Sequence, residues 1–380
     1  MPQERYLFID LYRAAVILLM LEGHVFRTFL RADLQQSDLF QYHEFLHGLS
    51  APAFLFGAGL TFVIATRRRW QEYHRWGEPV ARRLRRYLLI IALGLCMHLP
   101  YYSIRKIIID GGRADLLQQF QSDVLLCIGA GLIILQGLVF FFKKEKRFYT
   151  AVSAMTVLVC FLTPLVWGFD FLTVLPLPAA QLLNGLHGSP FPLFPYAGFL
   201  FAGAFISWRF VSAVERGGQK RFALRGAVVG AGLMLIGVVF DLIPITVYPK
   251  YEFWLTSPEY FLIRVGALMF TVCGFWWAAE RFGFKKRVWT VLGSESLFVY
   301  VSHLLILYGS AMNPRLNLQT ILGHDLGYPA AAGMFLAMLG VLLGAASLWH
   351  YLRRSHLPVY RFAQLSVSGL FLLKLFTRDF

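Results

Sequence analysis

The sequence is short of charge. Only 15% of its 380 residues are Asp, Glu, Lys or Arg, against roughly 25% in soluble globular proteins. Acidic residues are the scarcer kind, 21 against 36 basic ones. Cysteine is rare too. Cys96, Cys127, Cys160 and Cys273 each lie inside an apolar run, without metal-ligand or disulfide spacing, and read as small core-packing residues. Alternating segments of about ten residues are missing, which excludes a transmembrane β-barrel. There is no interdomain linker, no low-complexity segment and no clear internal repeat, and the last weighs against a repeat-built transporter. No small-residue cleavage site follows the first apolar run. That run is too long and too charged for a signal peptide and reads as a retained span.

What is present is apolar. Hydrophobic residues make up 57% of the chain and the mean hydropathy is +0.58. The runs recur along the whole length, so the expected fold is an all-α polytopic membrane protein, one integral-membrane domain over 1–380. A span needs about 20 apolar residues. Ten are expected, at 8–30, 45–66, 87–103, 122–142, 149–168, 191–208, 226–247, 258–279, 290–309 and 329–352. A further run at 365–376 is shorter; it lies in the interface or forms a tilted eleventh helix.

The net charge of +15 needs no nucleic-acid partner. Loops 1–7, 67–86, 143–147, 209–225, 280–289 and 353–361 hold 25 Lys and Arg, and the alternating set 31–44, 104–121, 169–190, 248–257 and 310–328 holds 6. The positive-inside rule then places the N-terminus in the cytoplasm, and the chain is expected to be a multi-pass protein of the inner membrane. Loop 169–190, without Lys or Arg, reads as an outer lid or re-entrant segment.

The first span, FIDLYRAAVILLMLEGHVFRTFL, carries Asp10, Arg13, Glu22, His24 and Arg27. An uncompensated charge at the bilayer centre costs about 2.5–3.5 kcal/mol, and such groups face a bundle interior or a water-filled cavity. Arg13 and His24 are eleven residues apart, three helical turns plus about 20°, so they share a face about 16 Å apart along the axis. Asp10, Arg13, Ile17, Leu21, His24 and Thr28 form one stripe, polar at its ends and apolar in the middle. Arg27 sits on the margin and Glu22 points elsewhere. An Asp10–Arg13 interfacial pair and a core-bonded His24 are the structural alternatives.

Several segments, taken in order, resemble the transmembrane acyltransferase superfamily. The closer likeness is to heparan-alpha-glucosaminide N-acetyltransferase-like proteins, relatives of the bacterial acyltransferase-three family. The resemblance rests on Asp10, Leu11, Arg13, Met20 and His24, and on HGLSAPAFLFGAGLTF at 47–62. Further segments are DVLLCIGAGLIIL at 123–135, SPFPLFPYAGFLFAGA at 189–204 and LGSESLFVYVSHLLILYG at 292–309. Ala14 replaces a usual glycine, Tyr196 a common tryptophan, and His47 stands out of register with the family's histidine before Ala-Pro, so no role is assigned to it. The resemblance implies a cytosolic acyl-CoA donor, usually acetyl-CoA. It implies a sugar-like hydroxyl or amine acceptor at or beyond the outer leaflet, and a catalytic histidine.

Acyl transfer needs a base on the acceptor and stabilisation of the oxyanion. His24 suits the first task, as base or as acylated intermediate. Arg13 is the candidate for the CoA pyrophosphate or the thioester tunnel, with Asp10 in support. Arg82, Arg83, Arg85 and Arg86 suit phosphate as a cluster and equally satisfy the charge bias. Ser296, Tyr300 and His303 share a face of the ninth span and, with intramembrane Arg264, are candidates for the acceptor side. Asp241, His98 and Asp123 sit at span ends, where polar groups are tolerated. Gly57 and Gly59 read as helix-packing residues. No metal site is apparent. The rival class is a transporter or lipid-linked sugar flippase that uses the same polar stripe as a conduit.

Overall fold

The computed structural model describes residues 6–243, 247–248, 251–282 and 286–377. Thirteen helices organise them. They are α1 (Leu7–Phe29), α2 (Asp38–His47), α3 (Ser50–Arg67), α4 (Glu78–Met97), α5 (Val124–Phe141), α6 (Glu145–Val166) and α7 (Leu193–Val214). Then follow α8 (Gln219–Asp241), α9 (Pro258–Phe282), α10 (Lys286–Ser294), α11 (Ser296–Tyr308), α12 (Tyr328–Ser355) and α13 (Leu357–Thr377). Shorter helical turns join them, and no strand occurs among the described residues.

Eight helices among the described residues are long and apolar enough to cross a bilayer: the continuous stretch 38–67, α5 to α9, α12 and α13. The chain is an all-α polytopic membrane protein. The other expected spans take a different form. α1 has the length, 23 residues, but carries the charges quoted above. α4 starts nine residues before the expected 87–103 and takes the arginine cluster into its first turns. The expected span 290–309 divides at Glu295 into α10 and α11, and α11, with 13 residues, rises only about 20 Å. The run at 365–376 is part of a 21-residue helix, α13. Expected span 226–247 includes 244–246, which lie outside the described residues.

Exposed Val157, Leu158, Phe161, Leu162 and Leu165 cover one side of α6. Leu224, Val228, Leu235 and Val239 do the same on α8, and Leu336, Val341 and Leu348 on α12. Apolar faces of that extent suit lipid.

The chain forms two compact units. The first comprises Met1–Ser50, Leu99–Asp115 and Ala278–Phe380. Within it α10, α11 and α12 pack on α1. Arg13 of α1 meets Ser296 at the start of α11, and Thr28 meets Tyr308 at its end, so α1 and α11 run parallel. α12 runs the other way. Leu326, just before it, accepts from the Arg31 amide at 3.0 Å and donates to the Phe29 carbonyl at 2.8 Å.

The second unit comprises Ala51–His98 and Leu116–Trp277. Its helices approach closely through glycine. A Cβ on Gly59 would lie 2.0 Å from the Leu200 carbonyl oxygen, and one on Gly203 2.1 Å from that of Phe56. The packing reading of Gly59 therefore holds, and the segment 189–204 supplies the partner surface. Cys127, Cys160 and Cys273 are buried and all four cysteines are free. Asp123 caps α5, accepting from the Leu126 amide at 2.7 Å, with His98 3.5 Å away. Asp241 ends α8, exposed. Loop 169–190 is a hydrogen-bonded cap on its own unit. Asn184 donates to the Val166 and Phe169 carbonyls, each at 2.9 Å, and Gln181 donates to the Leu117 carbonyl at 3.0 Å.

Candidate active site

The polar stripe of α1 is a helix face, as its spacing predicts, and it meets α11 at two levels. At the lower level the Arg13 guanidinium donates to the Ser296 hydroxyl. Asp10 is buried, 4% exposed, against Gly293 of α10, where a Cβ would come within 2.9 Å of its Oδ1. Beside Ser296, buried Glu295 accepts from His350 at 2.8 Å and pairs with Arg353, both on α12. Between the levels Ile17 and Leu21 are fully buried, so the middle of the stripe is packed core.

At the upper level three imidazoles gather. The His24 ring lies 5.1 Å from that of His303 and 5.7 Å from that of His47, centre to centre. His24 Nδ1 is 3.2 Å from the Tyr308 hydroxyl, which in turn is 2.9 Å from that of Thr28. His47 Nδ1–H donates to the Leu19 carbonyl at 3.4 Å. It can sit there only because residue 23 is glycine: a Cβ on Gly23 would lie 1.8 Å from His47 Nδ1. His303 Nδ1–H donates to the Val299 carbonyl at 3.1 Å. Its Nε2 is fully buried and has no hydrogen-bond partner. The Tyr300 ring is 5.6 Å from His303. From the loop 99–115, the Tyr102 hydroxyl donates to the Tyr308 carbonyl at 3.1 Å. Tyr102 and its neighbour Tyr101 hold φ values of 52° and 59°, a left-handed conformation that costs non-glycine residues about 1 kcal/mol or more each.

Glu22 does point elsewhere. It binds His43 Nε2 at 2.8 Å, and the His43 ring stacks in parallel with His47 at 6.2 Å. Arg27 pairs with Glu44 at the exposed margin. Among the described residues no three His, Cys, Asp or Glu side chains are grouped to hold a metal ion.

Arg13, Asp10, Ser296, Tyr300 and His303 are thus brought into one unit with His24. The other candidates fall in the second unit. The four arginines of α4 separate there. Arg83 turns inward, donating to Thr66 at 2.9 Å and Gln136 at 3.1 Å, with its guanidinium 3.5 Å over the Tyr73 ring. Arg82 and Arg85 pair with Glu78 at the surface, and Arg86 is exposed. The four are therefore not one surface patch: each residue on a helix turns about 100° from the one before, which takes Arg83 inward while Arg82, Arg85 and Arg86 stay outside. Buried Arg264 stacks on Tyr260 at 3.8 Å.

Sequence reasoning missed four contributors. Tyr308 is off the Ser296–Tyr300–His303 face by period. His47 looked out of register. Gly23 carried no chemical signal, and Tyr102 comes from a loop. Thr28, by contrast, was placed by its position on the stripe.

Residues 5–240 match the family model described as "Heparan-alpha-glucosaminide N-acetyltransferase, catalytic". The match includes Arg13, His24 and His47, and ends before α11. No curated protein matches the chain.

Proposed function

Since the chain belongs to the heparan-alpha-glucosaminide N-acetyltransferase catalytic family, a family of membrane acetyltransferases, we propose that it moves an acetyl or short acyl group from cytosolic acyl-CoA to a hydroxyl or amine of an extracytoplasmic, carbohydrate-type acceptor, with His24 as the catalytic residue. The observation that carries this reading is the upper level of the stripe. An imidazole on α1 is hydrogen-bonded to a tyrosine hydroxyl and ringed by two more imidazoles.

The donor set suits acetyl-CoA. Arg13 sets its guanidinium on α1 beside the Ser296 hydroxyl, and a guanidinium is a planar, multi-donor partner for phosphate oxygen. Exposed Arg82, Arg85 and Arg86 remain the candidates for an outer phosphate contact. Arg83 is committed to its own unit. His24 takes the acceptor's proton as its oxygen or nitrogen attacks the thioester carbonyl. The C–S bond then breaks, and the proton passes to the leaving thiolate. Tyr300 and Arg264 stand as acceptor-side candidates, whereas Ser296, bonded to Arg13, goes with the donor level.

The test is acetyl transfer by the purified protein in proteoliposomes, with labelled acetyl-CoA outside-facing at the protein's cytoplasmic side and a panel of amino and hydroxyl sugars. Label transfer with release of CoA thiol, lost in His24→Ala, supports the reading. Movement of solute without acetyl-CoA consumption selects the transporter or flippase reading instead.

A further inference from the structure

The pattern of protons around His24 can be written out in full. A carbonyl only accepts, so the contact between His303 Nδ1 and the Val299 oxygen fixes the proton of His303 on Nδ1. Its Nε2 is then a lone pair, fully buried and without a donor. An acceptor left unmet in that setting is unfavourable, because it has lost its water and gained no donor. The neighbouring group that can meet it is His24, whose ring centre is 5.1 Å away at a tilt of 51°. Two imidazoles joined in line by an N–H···N bond of about 2.9 Å have centres about 5.2 Å apart. The spacing matches such a pair; His303 Nε2 has no partner with the rings as they stand, so the bond requires a turn of the His24 ring about χ2, a soft torsion.

We infer that His303 is a positioning residue: its Nε2 accepts the Nε2–H of His24, and so leaves the lone pair of His24 on Nδ1, facing Tyr308. Every donor then has one acceptor. Thr28 gives its hydroxyl proton to Tyr308, Tyr308 to His24 Nδ1, His24 to His303, and His303 to the Val299 carbonyl. The inference rests on the reading of His24 as base and adds which nitrogen works. The acceptor O–H or N–H bond breaks and its proton goes to the Tyr308 oxygen while the Tyr308 proton goes to His24 Nδ1. The acceptor bonds to the thioester carbon, the C–S bond breaks, and the proton returns by the same route to the thiolate. No further reactant is required.

The experiment uses the full chain in nanodiscs with ¹⁵N-labelled histidine, and His24→Asn to identify the His24 signals. The expected spectrum shows His24 protonated on Nε2, and His303→Phe abolishes that preference. With acetyl-CoA as donor, His303→Phe lowers kcat by about 10- to 100-fold, the range found for groups that orient metal-bound histidines through their second nitrogen, with KM for acetyl-CoA unchanged. His303→Gln places an amide oxygen near Nε2 and restores both tautomer and most of kcat. Protonation of wild-type His24 on Nδ1 would overturn the inference. So would equal kcat for His303→Phe and His303→Gln. Absence of acetyl transfer in the wild type, with His24 still protonated on Nε2, would instead sink the acetyltransferase reading and leave the proton pattern standing.

Discussion

Gly23→Ala is a one-methyl test of how α1 and α2 assemble the imidazole cluster. In an isolated helix interior the change stabilises by about 1 kcal/mol. Here the added Cβ would sit 1.8 Å from His47 Nδ1, 2.2 Å from Cε1 and 2.3 Å from Cγ. Contacts that short cannot be absorbed by small adjustments, so the ring must leave. Leaving breaks its bond to the Leu19 carbonyl, worth about 1 kcal/mol, and the overpacking itself costs about 1–3 kcal/mol. The net expectation is a destabilisation of about 1–3 kcal/mol. In a His47→Ala background the obstacle is gone, and the same change should return to its helix value of about 1 kcal/mol stabilising. The coupling between positions 23 and 47 is therefore expected to be about 2 kcal/mol or more. Thermal unfolding of the four proteins in one detergent reads it as a reversal in the direction of the melting shift. A Gly23→Ala protein that melts higher than wild type would refute the reasoning.

Three further outcomes follow from the packing. Gly203→Ala drives a methyl to within 2.1 Å of the Phe56 carbonyl oxygen; with backbone as the obstacle it should cost about 2 kcal/mol or more, read as lower yield and melting temperature. Glu295→Gln removes the carboxylate shared by His350 and Arg353 at the α10–α11 break. Arg353 is 39% exposed, so the loss should be about 1–3 kcal/mol rather than the larger cost of a fully buried pair. Arg83→Met should lower stability through its lost bonds to Thr66 and Gln136 while leaving acetyl-CoA affinity within about twofold. Arg82→Ala should leave stability within about 0.5 kcal/mol; equal stability effects at the two positions would contradict the division of the cluster.

The helical, membrane-spanning character was legible because a bilayer demands long apolar runs whatever the tertiary packing. The shared face of Arg13 and His24 was legible because helical periodicity is local. The meeting of His24 with Tyr308 was not, since it depends on where Gly309, at φ 91°, ends α11 and on the direction in which α11 lies against α1. The place of His47 beside His24 was not legible because register was read along the chain, whereas its position is set by the space left at Gly23. The arginines of α4 show the same limit. Adjacent in sequence, they divide between core and surface because Tyr73, Thr66 and Gln136 offer Arg83 partners inside. The break at Glu295 was hidden in an apolar run that satisfies a span by composition alone.

The central claim, that Arg13 serves the donor and His24 the chemistry, is tested most directly by acetyl-CoA binding and single-turnover transfer on the same purified samples of wild type, Arg13→Ala and His24→Ala. The account predicts saturable binding that Arg13→Ala weakens by about tenfold, the value of one charge-assisted contact. It predicts that His24→Ala binds normally and transfers nothing. Transfer by His24→Ala at the wild-type rate would contradict it.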